Sequence, residues 1–138
     1  MKKEEFEVRI MNYFTENINL HKHWGIAKQC ARDIMSLNFE EIVTGKFEIP
    51  STAEMEEKIA DKVPYEFNAS DFIDKGPIDL SGLDEDVLKK AVAKSESIYK
   101  KFHDAQTRVI AKAAKKVCDS LNENLKKEIH EIKNKYLS

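Results

Sequence analysis

Three groups of side chains have the types and spacing that chemistry needs. Glu54, Glu57 and Asp61 recur at i, i+3 and i+7, so a helix would put all three carboxylates on one side, opposite Met55, Ile59 and Val63. Carboxylates converging from two helices can hold Mg²⁺ for phosphate-ester hydrolysis. In "HKHWG" (21–25), His21 and His23 are separated by one residue; on a helix their imidazoles point about 160° apart and cannot share a metal. His23 falls on the apolar side with Cys30, but seven helical residues separate the two by about 10 Å along the axis, far beyond zinc–ligand distances. The third group is Tyr99, His103 and Gln106, one turn apart on an apolar arc, which suits a buried hydrogen-bonded network or a proton-handling site.

None of the three assembles a recognisable catalytic motif. All-α nucleotide pyrophosphohydrolases pair an EExxE with a later ExxD; here Glu56-Glu57 leads to Ala60-Asp61 and Glu40-Glu41 to Thr44, so that pattern is absent. No phosphate-binding glycine loop and no zinc-spaced cysteines occur. The acidic side of 54–61 reads first as a solvated face. His23 reads as a hydrogen-bonded, partly buried side chain, Trp24 as a core residue, and Tyr99–His103–Gln106 as a structural cluster. Neither metal nor cofactor is expected, and an enzyme is the weaker expectation.

A row of cations, Lys101, Arg108, Lys112, Lys115 and Lys116, could track phosphates. Within "IAKAAKKV" (110–117) the lysines lie about opposite Ile110, Ala113, Ala114 and Val117. No aromatic interleaves the row, so it reads first as the wet back of a packing helix. Nucleic-acid association through this row is the alternative.

Composition narrows the classes. The 138 residues suit a single domain with a modest core. Four glycines and three prolines argue for helices over a turn-rich β-sandwich. With a formal charge of −2 the molecule as a whole is no electrostatic binder of nucleic acid. Its charge is nonetheless divided: 40–86 holds 14 acids against four lysines, about −10, and 97–118 holds six bases against Asp104, about +5. Two cysteines are too few for a disulfide framework, and "MKKEEFEVRI" lacks the apolar run of a signal peptide. The expected location is therefore cytoplasmic, or a host cytoplasm if the source is viral, with no membrane span.

Apolar spacing predicts helices over about 3–17 and 20–37. Asn38/Glu41, Ser51/Glu54, Ser81/Asp84 and Ser120/Glu123 have capping-box spacing, and Gly45 can close a short helix begun at Asn38; a hairpin across 39–49 competes with it. The segment 64–83 reads as a long loop that can hold short strands, lying on the helices through Tyr65, Phe67, Phe72, Ile78 and Leu80. No Gly or Pro interrupts 84–136. The caps in "CDSLNENL" predict a break near 119–120; apolar residues every eleven positions, from Leu88 through Tyr99, Ile110 and Leu121 to Ile132, support a continuous helix instead.

The expectation is an all-α bundle of about four to five helices in one domain: N-terminal helices (1–63), a long loop (64–83), and a long helix or helix pair (84–138). Beyond Leu121 the apolar arc narrows to Leu121, Leu125, Ile129, Ile132 and Tyr136, the stripe of a partner interface. The functional expectation is a non-enzymatic regulatory module. It self-associates through this stripe, most simply as a dimer, and presents its acidic region to a protein partner, as small accessory regulators and virally encoded inhibitors do.

Overall fold

A computed structural model describes residues 2–136, the Tyr136 side chain excepted. Among these residues the chain forms six helices and no strand: α1 (Lys3–Glu16), α2 (Leu20–Leu37), α3 (Phe39–Val43), α4 (Thr52–Ala60), α5 (Ala69–Lys75) and α6 (Glu85–Tyr136). The fold is all-α with a long C-terminal helix, and α1 and α2 lie where the apolar spacing put them. The chain divides into two compact units, each discontinuous in sequence: Met1–Asn19 with Pro64–Gln106, and Leu20–Val63 with Thr107–Ser138. The first part of α6 belongs to unit 1 and the second to unit 2.

Unit 1 is built on aromatic rings. Ile10, Phe14, Phe72, Leu80 and Ile98 are buried together. Phe14 meets Tyr99 edge-on at 5.0 Å between centroids and stacks on Phe102 at 6.0 Å. The segment 64–83 does lie down on the helices, but it holds α5 rather than strands. Asn68 caps α5 by accepting from the backbone N–H of Ser70 and Asp71, and Gly76 N–H ends it on Phe72 O at 2.9 Å. A Cβ at Gly76 would stand 2.3 Å from that carbonyl oxygen, so only glycine fits. Ser95 is fully buried and donates to Ala91 O at 2.8 Å. Across the unit, Lys94 Nζ pairs with Glu7 at 3.0 Å.

Unit 2 is built on small and aliphatic side chains. Ala27, Cys30, Ala31, Ile34 and Met35 of α2 pack in one core with Ile42, Met55, Ile59 and Val63, and with Ile110, Ala111, Ala114 and Cys118 of α6. Alanines on both long helices permit close approach, and Cys118 Sγ reaches Ala31 O at 3.9 Å. Burial raises the Cys118 thiol to a pKa of about 11 and pushes Cys30 up as well. Lys62 pairs with Asp33 at 3.4 Å.

The capping signals were realised unevenly. At α4 Ser51 caps the helix: Glu54 N–H donates to Ser51 Oγ, and the Ser51 hydroxyl donates to Glu54 Oε1, each at 3.2 Å. Asn38 instead donates its amide to Ile34 O at 2.8 Å, so its side chain closes α2 rather than opening α3. Ser81 bonds to Asp79, and Asp84 begins α6 through its carbonyl, which accepts from Leu88 N–H. The hairpin across 39–49 does not form. Gly45 closes α3 at φ +75°, with Lys46 N–H on Glu41 O at 2.8 Å.

The predicted break near 119–120 is overturned: α6 is continuous for 52 residues. Cys118 and Asn122 are buried there, and Leu121 and Leu125 pack against the unit 2 core. Burial of this face outweighs the weak helix propensity of Asp119, Ser120, Asn122 and Asn124. One cost remains, because Asn122 Oδ1 is buried with no hydrogen-bond partner among the described residues.

Candidate interaction surface

The residues considered for chemistry do not converge. Glu54, Glu57 and Asp61 are exposed on α4 and its C-terminal flank, and Glu54 is engaged with Ser51. Among the described residues no group of three or more His, Cys, Asp or Glu side chains could hold a metal ion. His23 is half-buried, and that burial, with Lys22 beside it, lowers its pKa; His21 is exposed. His103 lies in an aromatic group, its ring 6.2 Å from Tyr99 and 5.5 Å, edge-on, from Tyr65. Tyr65 comes from the segment after α4, a contact that spacing along α6 could not reveal. Its hydroxyl donates to Glu96 at 3.2 Å, and Tyr99 Oη accepts from Glu66 N–H at 3.1 Å. Gln106, the expected third member, is half-buried.

The cation row falls across the two units. Lys101 is an exposed residue of unit 1; Arg108, Lys112, Lys115 and Lys116 belong to unit 2. There Arg108 Nε stands 3.5 Å from Glu56 Oε1, and Lys115 is half-buried. The buried side of this stretch is Ile110, Ala111, Ala114 and Cys118, with Ala113 and Val117 packed beside it, so most of the expected apolar group faces the core.

Trp24 corrects the sequence reading. It was expected in the core and is 48% exposed. Its angle around α2 is nearly that of buried Ala31, seven residues on, so the predicted side of the helix was correct. Its position along the axis was not: burial on α2 begins at Ala27, and Leu20 and Trp24 lie in the turns before it. Lys28 Nζ stands 5.2 Å from the Trp24 ring centre. With Arg32, Lys116, Val117 and Leu121, these two residues line an open hollow of about 380 Å³. The aromatic missing from the lysine row is thus supplied by another helix.

The C-terminal stripe divides. Leu121 and Leu125 pack against their own core. Ile129 is half-buried, in a hollow of about 210 Å³ shared with Ile42 and Val43. Ile132 is 56% exposed, and the Tyr136 side chain lies outside the described residues. On α3, Phe39 and Val43 are 54% and 42% exposed, and Leu37 at the end of α2 is more exposed still. Lys126 and Lys133 line the same hollow as Val43, and Glu40 and Glu41 lie in the first turn of α3.

No helix among the described residues is long and apolar enough to cross a membrane. No protein-family model, curated protein or solved structure matches the chain.

Proposed function

We propose that the chain is a non-enzymatic protein-interaction module. Two copies pair along the edge made by α3 and the last turns of α6, and the exposed acids of α4 face a further protein partner. The observation that carries this reading is that Val43 and Ile129 line one hollow between α3 and α6, while Leu37, Phe39, Val43 and Ile132 on these elements and at the end of α2 are exposed. Single exposed apolar side chains are ordinary, whereas a group of them rimmed by charge marks an association surface. The rim favours a second copy of this chain. In a two-fold pairing, Glu40 and Glu41 of each copy can meet Lys126 and Lys133 of the other.

Light scattering and sedimentation over a concentration series test the proposal. The wild-type chain is expected to be dimeric, and the Phe39→Ser/Ile132→Asp variant monomeric with unchanged helicity. Val109→Ser, at an exposed α6 position away from this edge, is expected to remain dimeric. A wild-type chain that stays monomeric up to about 1 mM, or a double variant that still pairs, overturns it.

One observation favours a second reading. Trp24 beside Lys28, Arg32 and Lys116 is the arrangement on which an unstacked base can lie while cations hold the flanking phosphates. Nucleic-acid association would then use the face shared by α2 and α6 rather than a row along α6 alone.

A further inference from the structure

Unit 1 holds an open trough of about 500 Å³ between the start of α1, the turn preceding α6 and the first turns of α6. That volume falls within the range of about 300–1,000 Å³ usual for small-molecule sites. The floor is hydrocarbon, with Phe6 from α1, Ile78 and Leu80 from the turn, and Val87 and Ala91 from α6. Leu80 is buried in the aromatic core, and Phe6, Ile78 and Ala91 pack on that core, so the floor is held in place from behind. Val87 nevertheless remains 50% exposed. Apolar surface kept open to water is favourable to cover.

The charge around the trough is lopsided. Lys2, Lys3, Lys90 and Lys94 line it against one acid, Asp79. Asp79 Oδ1 is already engaged, accepting from Ser81 N–H at 3.0 Å and from the Ser81 hydroxyl. Lys94 is held by Glu7 at 3.0 Å. Lys2, Lys3 and Lys90 have no salt bridge among the described residues. A peptide laid here would bring backbone N–H and C=O groups onto a carbon floor that offers them few partners. An alkyl chain brings none.

We propose that this trough binds a single-chain anionic amphiphile, a fatty carboxylate. Its chain lies along Phe6, Leu80 and Val87, and its head is held by Lys2, Lys3 and Lys90. The site is in unit 1, whereas the pairing edge belongs to unit 2.

Calorimetric titration of the full chain with straight-chain carboxylates of increasing length, each below its micellar concentration, tests the proposal. One saturable site is expected, tightening about three- to fourfold per added methylene until the trough is filled. The alcohol of matched length should bind about tenfold more weakly, and the matched trimethylammonium should show no saturable binding. Val87→Asp should abolish binding and Lys90→Glu weaken it about tenfold, each with an unchanged circular dichroism spectrum because both residues are exposed. Three results overturn the proposal: no saturable binding up to about 1 mM, equal affinity for the carboxylate and the ammonium, or binding untouched by both variants.

Discussion

Replacement of Phe14 is the sharpest probe of how unit 1 is held together. The side chain is 8% exposed, with the rings of Tyr13, Phe72, Tyr99 and Phe102 at 5.7, 6.1, 5.0 and 6.0 Å. Phe14→Ala removes the ring and leaves a cavity, which costs about 3–5 kcal/mol in a packed core. Phe14→Leu keeps most of the apolar volume and loses mainly the ring–ring geometry. Each aromatic pair contributes about 0.5–1.5 kcal/mol, but four pairs sharing one ring are not additive, so about 1–2 kcal/mol is expected for the leucine variant. With a urea dependence of about 2 kcal/mol per molar, the midpoints fall by about 1.5–2.5 M for alanine and 0.5–1 M for leucine. The chain suits the assay because its single tryptophan, Trp24, lies in unit 2, whereas three of its four tyrosines, Tyr13, Tyr65 and Tyr99, lie in unit 1 and Tyr136→Phe removes the fourth signal. Near-ultraviolet tyrosine dichroism therefore follows the aromatic core, and tryptophan fluorescence follows the other unit. If leucine costs nothing, ring geometry contributes nothing beyond apolar volume. If alanine costs under about 1 kcal/mol, Phe14 is not the centre of that core.

Two further outcomes are expected. Under the second functional reading, single-stranded oligonucleotides quench Trp24 fluorescence in a steeply salt-dependent way, and Arg32→Ala with Lys116→Ala removes the quenching; salt-independent quenching, or none, rejects it. Acid sensitivity is the other. A hydrogen bond from Lys94 lowers the Glu7 pKa, and hydrogen bonds from Gln29 and then Lys62 lower that of Asp33. Carboxyl groups depressed by folding stabilise fully above their ordinary values of 4.5 and 3.8, and that contribution is lost as pH falls through the lower folded-state values. Glu7→Gln with Asp33→Asn should flatten stability against pH below about 4.5, and an unaltered acid profile refutes the assignment.

The elements legible in the sequence were those whose signal is local. The recurrence of Phe6, Ile10 and Phe14 marked α1, and Ala27, Ala31 and Ile34 marked the buried side of α2. Features that depend on what lies opposite were not legible. The angle of Trp24 around its helix could be read, but not that the core begins one turn later. The polar run 118–125 reads as a break until Leu121 and Leu125 are seen against the unit 2 core. The contact between Tyr65 and His103 joins positions 38 residues apart, and no helical period carries that information. The trough in unit 1 likewise gathers Lys2, Lys3 and Lys90 from distant parts of the chain.

The far end of α6 separates folding from association in a way that makes the pairing proposal testable. Asn122 is the last buried residue of the helix among those described; from Glu123 to Lys135 only Leu125 and Ile129 are even half-covered. A segment with so little burial persists because the packed turns before it have already met the cost of nucleation, and each added residue then needs only ordinary propensity. Lysine, glutamate and isoleucine all meet that requirement, so the helix has no need of an apolar group at 132. Ile132 therefore contributes little to the stability of one copy, and its replacement by a charged residue leaves the monomer folded. Leu121 and Leu125 are different, because charging either disrupts the core that carries the helix. Loss of pairing without loss of helicity at 132 attributes the effect to the surface. Loss of both would show that position 132 serves the fold, and the edge would then have no claim to be an interface.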